Sequence, residues 1–320
     1  FLVLSFYSVI GGWVIAYIFE AGHGVFHGAT SDVVASRFTG LLADPYALGF
    51  FHFVFMAVTV VIVVGGVKGG LEAFNAVFMP MLFVMLIILV GYAWTEGDFA
   101  RGVGFLFTPD WDKLTWEGVL RAVGQAFFSI GVGFGVFITY GSYLQGNTHI
   151  PGMSVTIAFS DTLVAILAGC AIFPIVFVNN LDPGSGPGLM FQTLPLAFGN
   201  MPYGDFFATF FFILILLAAL TSSISLLELV VARTEDDGGA GRATTAIFAG
   251  IAAWFVGIGT VLSFNQWAQW FPLDGIGPFG GKTVFDIIDY LTSNIMLPIG
   301  GILIGLFAAW VIKRSSAIEV

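Results

Sequence analysis

The chain has 320 residues, 58% of them hydrophobic and 9% charged, with a formal net charge of −10. A soluble domain is roughly half apolar and about a quarter charged, so this composition belongs to polytopic membrane proteins. The acidic balance without a lysine/arginine cluster argues against a nucleic-acid partner, and the single cysteine, Cys170, excludes an intrachain disulfide or a multi-cysteine metal site.

The chain opens inside an apolar run, FLVLSFYSVIGGWVIAYIF, with no methionine and no charged leader. A signal peptide does not fit, and a start upstream of residue 1 is expected. Eight stretches reach the ~20 apolar residues that a helical span needs: 1–19, 48–67, 73–94, 122–143, 155–179, 205–232, 243–264 and 284–312. Continuous runs with little strand-like alternation favour helices over a β-barrel. The expectation is an all-α, polytopic membrane helical bundle of about eight spans, forming one transmembrane domain over 1–320. Cys170, inside the fifth stretch, reads as a buried small hydrophobe.

Turn-rich connections such as DPGSGPG at 182–188 and TEDDGGAGR at 234–242 separate the spans, and a longer polar-aromatic connection runs from 95 to 118. Lys68, Arg233 and Arg242 follow the second and sixth spans, and Lys313 and Arg314 lie in the tail. The opposite connections carry Asp32, Asp44, Glu96, Asp98, Asp110, Asp112 and Asp182. Basic residues in short loops mark the cytoplasm, which places both termini there. The four histidines, 23, 27, 52 and 149, fall in connections or near span ends, and no His-Glu-x-x-His pattern occurs.

The fourth span contains SIGVGFGVFITYGSY, with glycine at 131, 133, 135 and 141. One reading is close helix packing through Gly131-xxx-Gly135. The other is a helix interrupted at mid-membrane, whose freed N–H and C=O groups bind a solute or ion. Gln125 and Ser129 upstream, and Thr139, Tyr140 and Tyr143 downstream, favour the second reading. Phe128 and Phe134 add large apolar faces, suited to a small solute with one polar and one apolar end.

Other polar groups fall within the spans. Asp161, near the start of the fifth, is either a helix-end acid or a functional carboxylate. In ALTSSIS at 219–225, Thr221 and Ser222 share a face with the Ala218 carbonyl, three oxygens that suit a hard cation such as sodium. Simple bonding of the hydroxyls back to their own helix is the alternative. Tyr7 is either an interfacial aromatic or a ligand group. Asp286 and Asp289, one turn apart at the head of the last span, suit a helix N-terminus.

Together, GGLEAFNAVFMPMLF, FLFTPDWDKL, AVGQAFFSIGVGFGVFITYGSYL, LLAALTSSIS and FDIIDYLTSN resemble, in order, segments of the sodium:neurotransmitter symporters, particularly the bacterial amino-acid transporters. The resemblance implies an inverted-repeat, broken-helix transporter fold, with the chain covering the family's third to tenth helices. The first two helices, including the Asn-Arg-Phe-Pro segment that supplies much of the coordination, and the terminal helix would lie outside it. The chain alone is therefore not expected to transport.

The resemblance also implies roles for particular residues. Tyr7 would bind the substrate carboxylate; Val3, Ile10, Gly131, Phe134 and Leu226 would line the pocket; and Phe128 would be an aromatic lid. Ser129 and Asp161 would belong to the first sodium site, and Ala218, Thr221 and Ser222 to the second. Gln125 and Asp289 would be outer-gate groups. Chloride-dependent members carry asparagine where this chain has Asp161 and serine where it has Ala165, so chloride independence is implied.

The function expected is sodium-coupled symport of an apolar or aromatic amino acid by alternating access. It is expected of a multi-pass protein of the bacterial inner membrane that is not an enzyme and has no cofactor besides coupling sodium. Its partners are the amino acid, Na+ and the bilayer, with homo-oligomerisation left open. Proton coupling on the same fold is the main alternative, followed by an intramembrane enzyme or a non-transporting scaffold.

Overall fold

The computed structural model describes residues 1–144, 148–184, 186–238 and 240–311. All regular structure among them is helical, as lipid demands of a backbone that must satisfy its own hydrogen bonds. The elements are α1 (Leu2–Gly22), α2 (Ser31–Ala43), α3 (Pro45–Val64), α4 (Ala73–Glu96), α5 (Phe99–Phe107), α6 (Trp116–Ile130) and α7 (Val136–Ser142). They continue with α8 (Ile150–Val178), α9 (Gly186–Gly188), α10 (Leu194–Gly199), α11 (Gly204–Asp236), α12 (Arg242–Ser263), α13 (Val284–Asp289) and α14 (Leu297–Trp310). Wider π-type turns precede α4 and α10 and join α13 to α14.

Seven helical stretches among the described residues are long and apolar enough to cross a membrane. The eighth expected span, 122–143, is divided between α6 and α7. Four helices were not foreseen: α2, between the first two spans, α5, inside the connection 95–118, and α9 and α10, between the fifth and sixth spans. All are short, so none shows the length of a span. α5 lies against α8, where the Asp98 N–H donates to the Pro174 carbonyl at 3.0 Å.

The scaffold centres on α1, which packs against α11, α3 and α12. Trp13, Tyr17, Phe38, Phe191 and Phe212 form an aromatic core, and the Tyr17 hydroxyl donates to the Phe191 carbonyl at 2.9 Å. Thr59 of α3 and Ser223 of α11 share a buried hydrogen bond of 2.8 Å. Cys170 is buried, as its apolar surroundings suggest.

His52 departs from its expected place near a span end. It lies about two turns inside α3 and is fully buried, with Nε2 3.1 Å from the Trp254 carbonyl. His149 caps α8 by accepting from the Gly152 N–H. Arg242 Nε donates to the Val63 carbonyl at 2.9 Å, so the start of α12 meets the end of α3. Two of the basic connections thus lie at one end of the bundle. Lys313 and Arg314 fall outside the described residues.

Candidate functional site

The break between α6 and α7 is built from its glycines. Gly131 (φ 81°) and Gly135 (φ 79°) are left-handed, a conformation that costs a residue with a Cβ about 1–2 kcal/mol. A single 3-10 turn, Val132–Phe134, lies between them. Gly133 meets α14 so closely that a Cβ there would lie 2.5 Å from the Leu297 carbonyl oxygen. The helix is therefore interrupted, as the second reading expects, whereas the close packing falls on Gly133 and not on the expected Gly131-xxx-Gly135 pair, whose Gly135 has open space where a Cβ would lie.

Beside the break lies a cavity of about 340 Å³. Six of the seven expected pocket residues line it: Val3, Tyr7, Phe128, Gly131, Phe134 and Leu226. Ile10 does not. It faces a separate apolar cavity with Leu86, Phe191 and Leu214, because it lies on the side of α1 turned towards α4 and α11. Phe128 and Phe134 meet edge to face, with centroids 5.7 Å apart, and Tyr7 packs on Phe55 with its hydroxyl directed at Ser222. Phe128 and Gln125 also line a second, outer cavity of about 710 Å³, together with Asp289, Glu117 and Asn294. Phe128 therefore stands between the two spaces.

The Ser129 hydroxyl, on the cavity wall, donates to Asp161 Oδ2 at 2.9 Å. α8 begins at Ile150, so Asp161 stands about three turns inside the helix. That overturns the helix-end reading. Thr221 and Ser222 both donate to the Ala218 carbonyl, at 2.8 and 3.3 Å. The back-bonding alternative is thus observed, and it gathers the three oxygens in one place with the hydroxyl lone pairs turned outward. Asp286 closes a capping box with Thr283, as the helix-terminus reading expects, whereas Asp289 accepts from Ser293 on the wall of the outer cavity.

Sequence reasoning passed over several neighbours. Ser225 also lines the central cavity, and its hydroxyl meets that of Tyr140 at 2.7 Å. One turn further, the fully buried Glu228 accepts from the Tyr143 hydroxyl at 2.7 Å and pairs with Arg242. The signal was present: Thr221, Ser222, Ser225 and Glu228 form one polar stripe at helical spacing along α11.

The model of the sodium:neurotransmitter symporter family matches residues 46–272. The chain belongs to that family. It is 39% identical over 98% of its length to YhdH of Bacillus subtilis, an uncharacterised sodium-dependent transporter of which it covers 68%. An uncharacterised sodium-dependent transporter of Haemophilus influenzae is 33% identical over the whole chain, which covers 70% of that protein. Among solved structures, MhsT in complex with L-phenylalanine superposes with a TM-score of 0.88 at 40% identity, over 99% of this chain and 71% of that one. The chain is thus a multi-pass membrane protein with the fold of a bacterial transporter, in a family of sodium-dependent carriers.

Proposed function

We propose that the complete protein is a sodium-coupled symporter of an amino acid with an apolar or aromatic side chain, working by alternating access without chloride. The observation that carries this reading is the cavity beside the Gly131–Gly135 break, walled by Tyr7, Phe128, Phe134 and Leu226. Freed backbone groups and the Tyr7 hydroxyl provide a polar end for an amino acid's charged groups. The aromatic and aliphatic walls provide the other end. The phenylalanine bound to the related MhsT fits the same description.

Sodium would be held by hard oxygen ligands. Ser129 and Asp161 supply a hydroxyl and a carboxylate at one place, and Ala218, Thr221 and Ser222 supply a carbonyl and two hydroxyls at another. Asp161 brings a fixed negative charge to the first site, which removes the need for an added anion. Phe128 would close over the substrate from the outer cavity, with Gln125 and Asp289 beyond it.

Uptake of labelled phenylalanine or leucine into proteoliposomes holding the complete protein tests the reading. An inward sodium gradient should drive accumulation equally in chloride and gluconate. Accumulation driven by a proton gradient with sodium absent would transfer the protein to the proton-coupled class.

A further inference from the structure

The wall that α11 turns to the cavity has an unusual hydrogen-bond balance. Thr221 and Ser222 each commit their only hydroxyl hydrogen to the Ala218 carbonyl. Ser225 commits its own to the Thr221 carbonyl at 3.1 Å. Either oxygen can donate in the 2.7 Å contact with Tyr140; with the Ser225 hydrogen on the Thr221 carbonyl, which can only accept, Tyr140 is the donor. Every hydroxyl hydrogen along this stretch is spent within the protein. The Ser225 oxygen keeps one lone pair, and it belongs to the cavity lining.

Ser225 lies one turn along α11 from Ser222, which faces the Tyr7 hydroxyl. It also neighbours Leu226, a wall of the apolar half. An amino acid whose carboxylate engages Tyr7 would therefore present its side chain towards Ser225.

We propose that Ser225, held in place by the Tyr140 hydroxyl of α7, is a specificity-determining acceptor that selects aromatic side chains bearing a hydrogen-bond donor. The class is an indole or a phenol in preference to an unsubstituted ring or an aliphatic chain. This inference rests on the amino-acid transport reading above. A donor on the ligand meets the free lone pair, whereas an unsubstituted ring leaves that oxygen desolvated and unmatched. Sites with buried polar groups discriminate through that penalty. Tyr140→Phe leaves Ser225 with one acceptor position more and no tether, so it loosens the selection without removing the acceptor.

The test is competition binding in sodium on the complete purified protein. The probes are two pairs that differ chiefly in the donor: tyrosine against phenylalanine, and tryptophan against 1-methyltryptophan. Wild type should favour the donor-bearing member of each pair by about tenfold. Ser225→Ala should bring both ratios close to one, chiefly by tightening phenylalanine and 1-methyltryptophan, which then leave no acceptor unmatched. Tyr140→Phe should give an intermediate ratio. Equal affinities within each wild-type pair would overturn the proposal, and so would ratios unchanged in Ser225→Ala. In either case, sodium-stimulated phenylalanine binding would show that the transport reading survives. If no amino acid bound in sodium, the transport reading itself would fail.

Discussion

At the scale of single residues, charge inside the membrane decides most. Asp161 stands mid-helix and accepts from Ser129, and a carboxylate at that depth is rarely idle. A unit charge ~4 Å from a cation is worth about 4 kcal/mol at an effective dielectric of 20. Losing half of that weakens ion binding roughly 30-fold. Asp161→Asn with Ala165→Ser should therefore create or strengthen a requirement for chloride, read as uptake in chloride against gluconate. A double variant that transports normally in gluconate would refute the charge-balance role. Tyr7→Phe removes a hydroxyl and little volume, and a hydrogen bond to a charged group is worth ~1.5–3 kcal/mol. Substrate affinity should fall by about 10–150-fold, with little change in thermal stability. Thr221→Val with Ser222→Ala should raise the sodium concentration for half-maximal uptake, because two ligand oxygens go while size is kept. An unchanged sodium dependence would leave those hydroxyls as helix back-bonds alone.

At the scale of elements, the broken helix was legible because glycine leaves a chemical mark: four in eleven residues from 131 to 141. Its packing partner was not legible. Nothing in the sequence says that Gly133 meets Leu297, or that Gly300 on α14 comes within 2.7 Å of the Gly133 oxygen, measured to a Cβ placed there. α2 and α5 were missed for a different reason. Each is short and stabilised by docking, α5 through Asp98 and Pro174, and propensity alone rarely carries so short a helix. Asp161 was misplaced because the apolar run begins after the helix does. Gly133→Ala should lower the yield of folded protein, since a methyl group there lies nearest the Leu297 carbonyl oxygen, which cannot turn aside as the Leu297 side chain can. Gly91→Ala on α4, where a Cβ meets nothing within 4 Å, should be neutral or mildly stabilising. Equal melting temperatures for the two variants in detergent would show that the α14 contact yields easily.

At the scale of the whole molecule, Arg242 joins parts that are far apart in the chain. The sequence marked it only as a basic residue in a connection, because its partners are reached by tertiary packing. Its guanidinium pairs with the fully buried Glu228 and lies 3.2 Å from Glu235, while Nε bonds the last turn of α3 through the Val63 carbonyl. Glu228 in turn accepts from Tyr143, so one charge pair ties α12 and α11 to α3 and to the short half of the broken helix. Removing one member of a buried pair leaves the other uncompensated, at a cost of about 3–5 kcal/mol, whereas removing both charges together is often close to neutral. Arg242→Met should therefore lower the melting temperature of the complete protein markedly. Adding Glu228→Gln should restore most of the loss, since glutamine stays neutral and still accepts from Tyr143. The comparison separates charge from shape, because the methionine is common to both variants. If the double variant melts no higher than Arg242→Met, the loss comes from packing and from the bond to Val63. If it recovers, the pair holds the scaffold through charge compensation, and Tyr143 connects the broken helix to it.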